Sequence, residues 1–119
     1  MPRPRIRRRV LEEPGVVYFK PTGIRMIDLE ERIISVDEFE SLRLKDLEGL
    51  DQKECAEKMN ISQPTFHRLV ISARKKIAEA LVKGHAIRIQ GGNFEIPKSF
   101  ERRRRGLRQR RRNLGKNFI

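Results

Sequence analysis

The chain has one cysteine, no tryptophan, one tyrosine and two histidines in 119 residues. A single thiol, Cys55, excludes an internal disulfide, and with two histidines beside it the usual ligands of a closed zinc site are missing. No apolar run approaches the ~18 residues that would span a bilayer. The opening Met1-Pro2-Arg3-Pro4-Arg5 has no apolar segment behind its charges, so it does not read as a secretory leader. A phosphate-cradling glycine loop, a Ser/His/Asp set and paired carboxylates in an apolar setting are also missing, which argues against an enzyme and leaves no metal or cofactor to assign. These absences point to a cytoplasmic, nucleoid-associated protein that works by binding, without a membrane.

Basic residues are abundant: 28 Lys and Arg stand against 16 Asp and Glu, a formal net charge of +12. Residues 1–9 carry five arginines and no acid, and residues 98–119 carry eight arginines and two lysines against Glu101. Between them, residues 10–97 hold 13 bases and 15 acids. A nearly neutral domain therefore lies between a basic N-terminal arm and an Arg-rich C-terminal tail. Blocks of like charge repel and cannot bury themselves, so both ends are expected to be disordered interaction arms. A phosphate-rich partner suits them, because each neutralised phosphate releases condensed counterions. The runs Arg102–Arg105 and Arg110–Arg112 have no interleaved aromatic residue. Arg103 and Arg104 therefore read as phosphate or minor-groove contacts, as do Arg3, Arg5, Arg7, Arg8 and Arg9, and not as a stacking surface.

Within the domain, Val16–Phe19 is a short β-prone run between turn signals, and residues 24–34 have no clean period. Ser35-Val36-Asp37-Glu38 is a capping box that opens a helix over about 36–47, ended by Gly49. Asp51 to Glu54 repeats the start signal for a helix over about 52–59. Ser62 caps a third helix with Pro64 in its first turn and Gly84 beyond its end near Val82. Apolar alternation around Gly91-Gly92 predicts a small β-hairpin over residues 86–96. The Asp and Glu residues on these capped helices read as solvated faces.

The stretch Asp51–Val70 fits a helix-turn-helix within residues 51–83. Two helices crossing steeply need a small residue at closest approach, supplied by Ala56, and apolar inner faces, supplied by Cys55, Met59, Ile61, Phe66 and Leu69. Four positions after the small residue a left-handed backbone is required, and Asn60 tolerates it. At 100° per residue, Leu69, Val70, Ala73, Ile77, Ala80 and Leu81 lie within about 60° of Phe66, which predicts one buried stripe. The other side carries His67, Arg68, Ile71, Ser72 and Lys75. In a major groove the N-terminal part of such a helix meets base edges. Gln63, Thr65, His67 and Arg68 are accordingly assigned to base reading and Arg74, Lys75 and Lys76 to the DNA backbone, with Ser72 also counted among the DNA-binding residues.

Three segments, Tyr18-Phe19-Lys20-Pro21-x-Gly23-Ile24, Asp37-Glu38-x-Glu40-x-Leu42-Arg43-Leu44-x-Asp46-Leu47-Glu48-Gly49-Leu50 and Ala73-Arg74-Lys75-Lys76-Ile77-Ala78-x-Ala80-Leu81, resemble a family of small uncharacterised prokaryotic proteins predicted to bind DNA. The resemblance covers roughly residues 2–94. It implies a mainly α, three-helix fold of the winged-helix superfamily type, whose helix-turn-helix is similar to region four of bacterial sigma factors. Relatives with extra cysteines suggest a metal site, but here those regions are Arg-rich and no metal carries over.

The expected function is transcriptional regulation through double-stranded DNA; the alternative is an RNA- or ribosome-associated protein that uses its arginine tails. Residues 28–57 hold 11 acids and four bases, whereas residues 58–97 hold seven bases and two acids, so DNA is expected at the second half. The acidic half is expected to face a protein partner such as RNA polymerase, or to hold the chain's own arginine tails. A homodimer is compatible with such a reader, although no residue marks a dimer face.

Overall fold

The structure, a computed structural model, describes residues 7–97. The expected C-terminal tail, with Arg103 and Arg104, and residues 1–6 of the expected N-terminal arm lie outside the described residues, whereas Arg8 and Arg9 of that arm form a strand instead of a free end. In chain order the elements are β1 (Arg8–Arg9), β2 (Tyr18–Phe19), a 3-10 turn (Met26–Asp28), β3 (Glu31–Ile34), α1 (Val36–Leu42), a π-helical turn (Arg43–Leu47), α2 (Gln52–Met59), α3 (Gln63–Lys83), β4 (Ala86–Ile89) and β5 (Phe94–Glu95).

Local chemistry accounts for the helix starts. The Glu38 amide donates to Ser35 Oγ at 3.3 Å while the Ser35 amide donates to Glu38 Oε1 at 3.1 Å, closing the capping box reciprocally. Asp51 accepts from the Glu54 amide at 2.8 Å, and Ser62 accepts from the Thr65 amide at 3.3 Å. The first helix departs from expectation. Its α-helical part ends at Leu42, and the Glu48 amide donates to the Arg43 carbonyl at 2.9 Å, one residue wider than an α-turn. The wider turn keeps Leu44 fully buried and swings Leu47 out to 80 % exposure.

Asn60, at φ 58° and ψ 46°, reverses the chain between α2 and α3. Cys55, Ala56 and Met59 of α2 pack against Phe66, Leu69 and Val70 of α3, with Leu44 beneath them. The expected stripe of α3 holds for Phe66, Leu69, Val70, Ala73 and Ala80 but not for Ile77, which is half-buried, or Leu81, which is 74 % exposed. Length is the reason. At 1.5 Å per residue, eight residues of α2 cannot cover 21 residues of α3.

The hairpin expected over residues 86–96 does not form. Strand β4 runs parallel to β3, with Ile34 opposite Ile89, and antiparallel to β2 on its other edge, so both of its edges are occupied. Strand β5 instead pairs in parallel with β1. The intervening glycines serve a close approach: Gly91 accepts from the Val36 amide at 2.9 Å, and a Cβ on Gly92 (φ 107°) would run into Asp37 Oδ1 and lie 2.8 Å from Ser35 Cβ. A second core, Val10, Val36 and Ile89 with Phe39, Phe94 and Ile96 packed around them, joins these strands to α1.

Candidate nucleic-acid interface

One face of α3 is open to solvent along its length. Gln63, His67, Arg68, Ile71 and Lys75 are exposed there, and Arg68 and Lys75 form no ion pair with any of the described residues. His67 is steadied from α2, where Gln52 Nε2 lies 3.1 Å from His67 Nδ1. Thr65 turns away from this face: its hydroxyl oxygen accepts from Ser62 Oγ at 2.9 Å and completes the helix cap.

The flanks of the helix are occupied from within. On one side Ser72 Oγ and Lys76 Nζ both donate to Glu38, each at 2.8 Å. On the other side Arg74 grips Asp46 with two hydrogen bonds, Nη2 to Oδ1 at 2.6 Å and Nε to Oδ2 at 3.0 Å. Glu38 begins α1 and Asp46 lies in the π-turn after it, so this segment straddles α3 and holds its roll angle. Of the residues expected at DNA, the structure therefore brings Gln63, His67, Arg68 and Lys75 together. Ser72, Arg74 and Lys76 are engaged with the α1 segment.

The electrostatics follow the same division. Burial pushes the Glu38 carboxyl up, but hydrogen bonds from Lys76, Ser35 and Ser72 outweigh it and hold the group below its ordinary value. The Arg74 fork likewise lowers Asp46. Three carboxylates expected on solvated faces, Asp37, Glu38 and Glu40, are buried. Asp37 accepts from Arg8 Nη1 at 2.5 Å, which draws Arg8 out of the expected arm and into the fold. Glu40 accepts from the Leu11 amide and from Arg43 Nε, both at 2.6 Å.

The acidic half is thus largely neutralised internally, with Glu31 on Arg88 at 2.8 Å and Glu48 on Arg43 at 2.7 Å adding to these pairs. Glu54 and Glu57 on α2 remain exposed without an ion pair among the described residues. Gln52 was not singled out by the sequence; its one signal is its position as the first residue of a capped helix that leads into α3. The interleaving of Arg43 with Glu40 at helical spacing was the corresponding signal for the buried acids.

Fold and site together define a small α-rich protein, three helices on a small mixed sheet, with a basic stripe along its longest helix. The chain belongs to the family described as "Protein of unknown function DUF134", whose profile matches residues 1–97. It is similar to a UPF0251 protein of Thermoanaerobacter pseudethanolicus, with 54 % identity over 110 residues, 92 % of this chain and 93 % of that protein. Similar proteins occur in Pelotomaculum thermopropionicum, 55 % identical over 96 residues (81 % of this chain, 73 % of that protein), and Dehalococcoides mccartyi, 57 % identical over 96 residues (81 % and 82 %). No solved structure matches the chain. No helix among the described residues is long and apolar enough to cross a membrane.

Proposed function

We propose that the protein is a sequence-specific duplex-DNA-binding protein, a transcriptional regulator in which α2, the turn at Asn60 and α3 act as a helix-turn-helix similar to region four of bacterial sigma factors. One observation carries this reading. Arg68 and Lys75 stand on the open face of α3 without an acidic partner among the described residues, while Arg74 and Lys76 on the same helix are neutralised from within. A cation kept clear of the protein's own carboxylates is available to an external anion.

In this reading Gln63, His67 and Arg68, at the start of α3, face base edges, with Arg to guanine and Gln to adenine as the favoured pairs. Lys75, about 10 Å further along the helix than Arg68, contacts a phosphate. Ile71, exposed between them, is the residue this reading assigns to a thymine methyl group. Ser72, Arg74 and Lys76 become positioning residues that set which face of α3 is presented.

Binding selection from a random duplex DNA pool, with the full-length protein at physiological salt, tests the reading. The expected result is one enriched motif, and a relaxed preference at one base pair for Arg68→Ala, with a loss of about 1–3 kcal/mol on the preferred site. Binding without any enriched motif, together with a preference for folded RNA over duplex DNA, would replace this reading with the RNA-associated one.

A further inference from the structure

We propose that the second half of α3 and the apolar groove beside it form the face on which two copies of this chain join as a homodimer. The groove has a volume of about 680 Å³ and opens where α3 outruns α2, between Ile77 and Leu81 of α3, Leu42 and Leu47 of the α1 segment, and Phe19 and Ile87 of the sheet.

The last turns of α3 carry more apolar surface than their own chain covers. Ile77, Ala78, Ala80, Leu81 and Val82 spread over about 200° of the helix circumference, whereas packing on a single core needs a stripe of about 100°. The described residues bury Ala80 and half-bury Ile77, but Ala78 is exposed, and Leu81 and Val82 stand 74 % and 85 % exposed. A helix that is apolar on two sides is covered on two sides.

Size and shape point to a second copy as the cover. Phe19, Leu47, Leu81 and Val82 are each half exposed or more. At about 150 Å² for a large apolar residue they present about 400 Å² together. Homodimer interfaces are about 65 % apolar, so with the groove walls added this patch approaches the roughly 800 Å² per partner of a stable interface. The same molecule supplies both the protruding leucines and the groove they border. A two-fold axis seats the leucines of each copy in the groove of the other, which is the self-complementarity that an isologous contact requires.

Charge permits the contact. Each chain carries +12, so two copies repel unless they meet where charge is cancelled. At the groove Arg74 is held by Asp46 and Arg43 by Glu40, both at 2.6 Å. Spacing agrees as well, in a point that rests on the DNA reading. With α3 of the two copies antiparallel about a two-fold axis between Ala78 and Leu81, the two Arg68 residues stand about 35 Å apart, one turn of duplex DNA.

Sedimentation of the full-length protein without nucleic acid, over a concentration series reaching about 100 μM, tests the proposal. The expected result is twice the chain mass for the parent, one chain mass for Leu81→Glu/Val82→Glu, and twice the chain mass for Ile27→Glu, whose parent residue is equally exposed but does not line the groove. Helical circular dichroism verifies the fold of each variant. Ala78→Cys gives a second reading that leaves the apolar face in place: with oxidised glutathione present it should form a covalent dimer, whereas the parent, whose lone Cys55 is buried, should not. A parent that stays monomeric at every concentration overturns the proposal. So does a folded Leu81→Glu/Val82→Glu variant that remains dimeric, and so does Ala78→Cys crosslinking no faster than Ile27→Cys. A monomer that still enriches one DNA motif refutes the dimer alone, and a dimer that enriches none refutes the DNA reading alone.

Discussion

Lys76 Nζ donates to Glu38 Oε1 at 2.8 Å, and the same carboxylate takes Ser72 Oγ on its other oxygen. One buried acid at the head of α1 therefore satisfies its own helix cap and fixes two side chains of α3. Because its native value is depressed, this carboxylate contributes stability above its unfolded-state pKa of about 4.3, and the contribution is lost as pH falls through the native value. Glu38→Gln should lower stability at neutral pH by about 1–3 kcal/mol and show a shallower decline on acidification than the parent. Urea unfolding at a series of pH values reads both effects.

Arg68 and Lys76 are expected to separate cleanly. Lys76→Ala should destabilise the fold by about 1 kcal/mol or more, because it leaves Glu38 buried without its cation. Arg68→Ala should leave the melting temperature nearly unchanged, within about 0.5 kcal/mol, while altering DNA selection. Thermal melts and binding selection on the two variants should give opposite rankings.

Gly91 and Gly92 both have positive φ, but only Gly92 lies against other atoms. Gly91→Ala should cost about 1 kcal/mol for the left-handed backbone alone. Gly92→Ala should cost more, about 2–3 kcal/mol, since its Cβ would also push on Ser35 and Asp37 at the α1 cap. Chemical denaturation of the two variants isolates the close approach from the turn.

Cys55 is fully buried in the α2–α3 core, and burial pushes its thiol up. The native protein should react with a thiol reagent at pH 8 far more slowly than the urea-unfolded chain. A native rate equal to the unfolded rate would place Cys55 outside the core.

Much of the helical framework was legible from local sequence. Ser35 with Glu38, Asp51 with Glu54 and Ser62 with Thr65 each meet their capping partner three residues away, so no tertiary information is needed to find them. The same holds for Asn60 and for the stripe of α3 from Phe66 to Ala73. The open face of α3 followed from that stripe by angle alone.

The strand partners were not legible. Arg88 meets Glu31 across 57 residues, and both neighbours of β4, β2 and β3, lie on the far side of the helical unit in sequence, so an apolar alternation beside Gly91-Gly92 could not reveal them. Nor could the acids: Asp37, Glu38 and Glu40 look like a helix surface until Arg8, Ser72, Lys76 and Leu11 arrive from 29 to 38 residues away.

By itself, then, the sequence determined the three helices, their caps and the charged identity of the side chains on α3, because those depend on neighbours a turn or two away. Only the tertiary structure decided which of those charges are available. A lysine or arginine is neutralised or free according to which distant carboxylate the fold brings within 3 Å, and that choice left Arg68 and Lys75 open while closing Arg74 and Lys76.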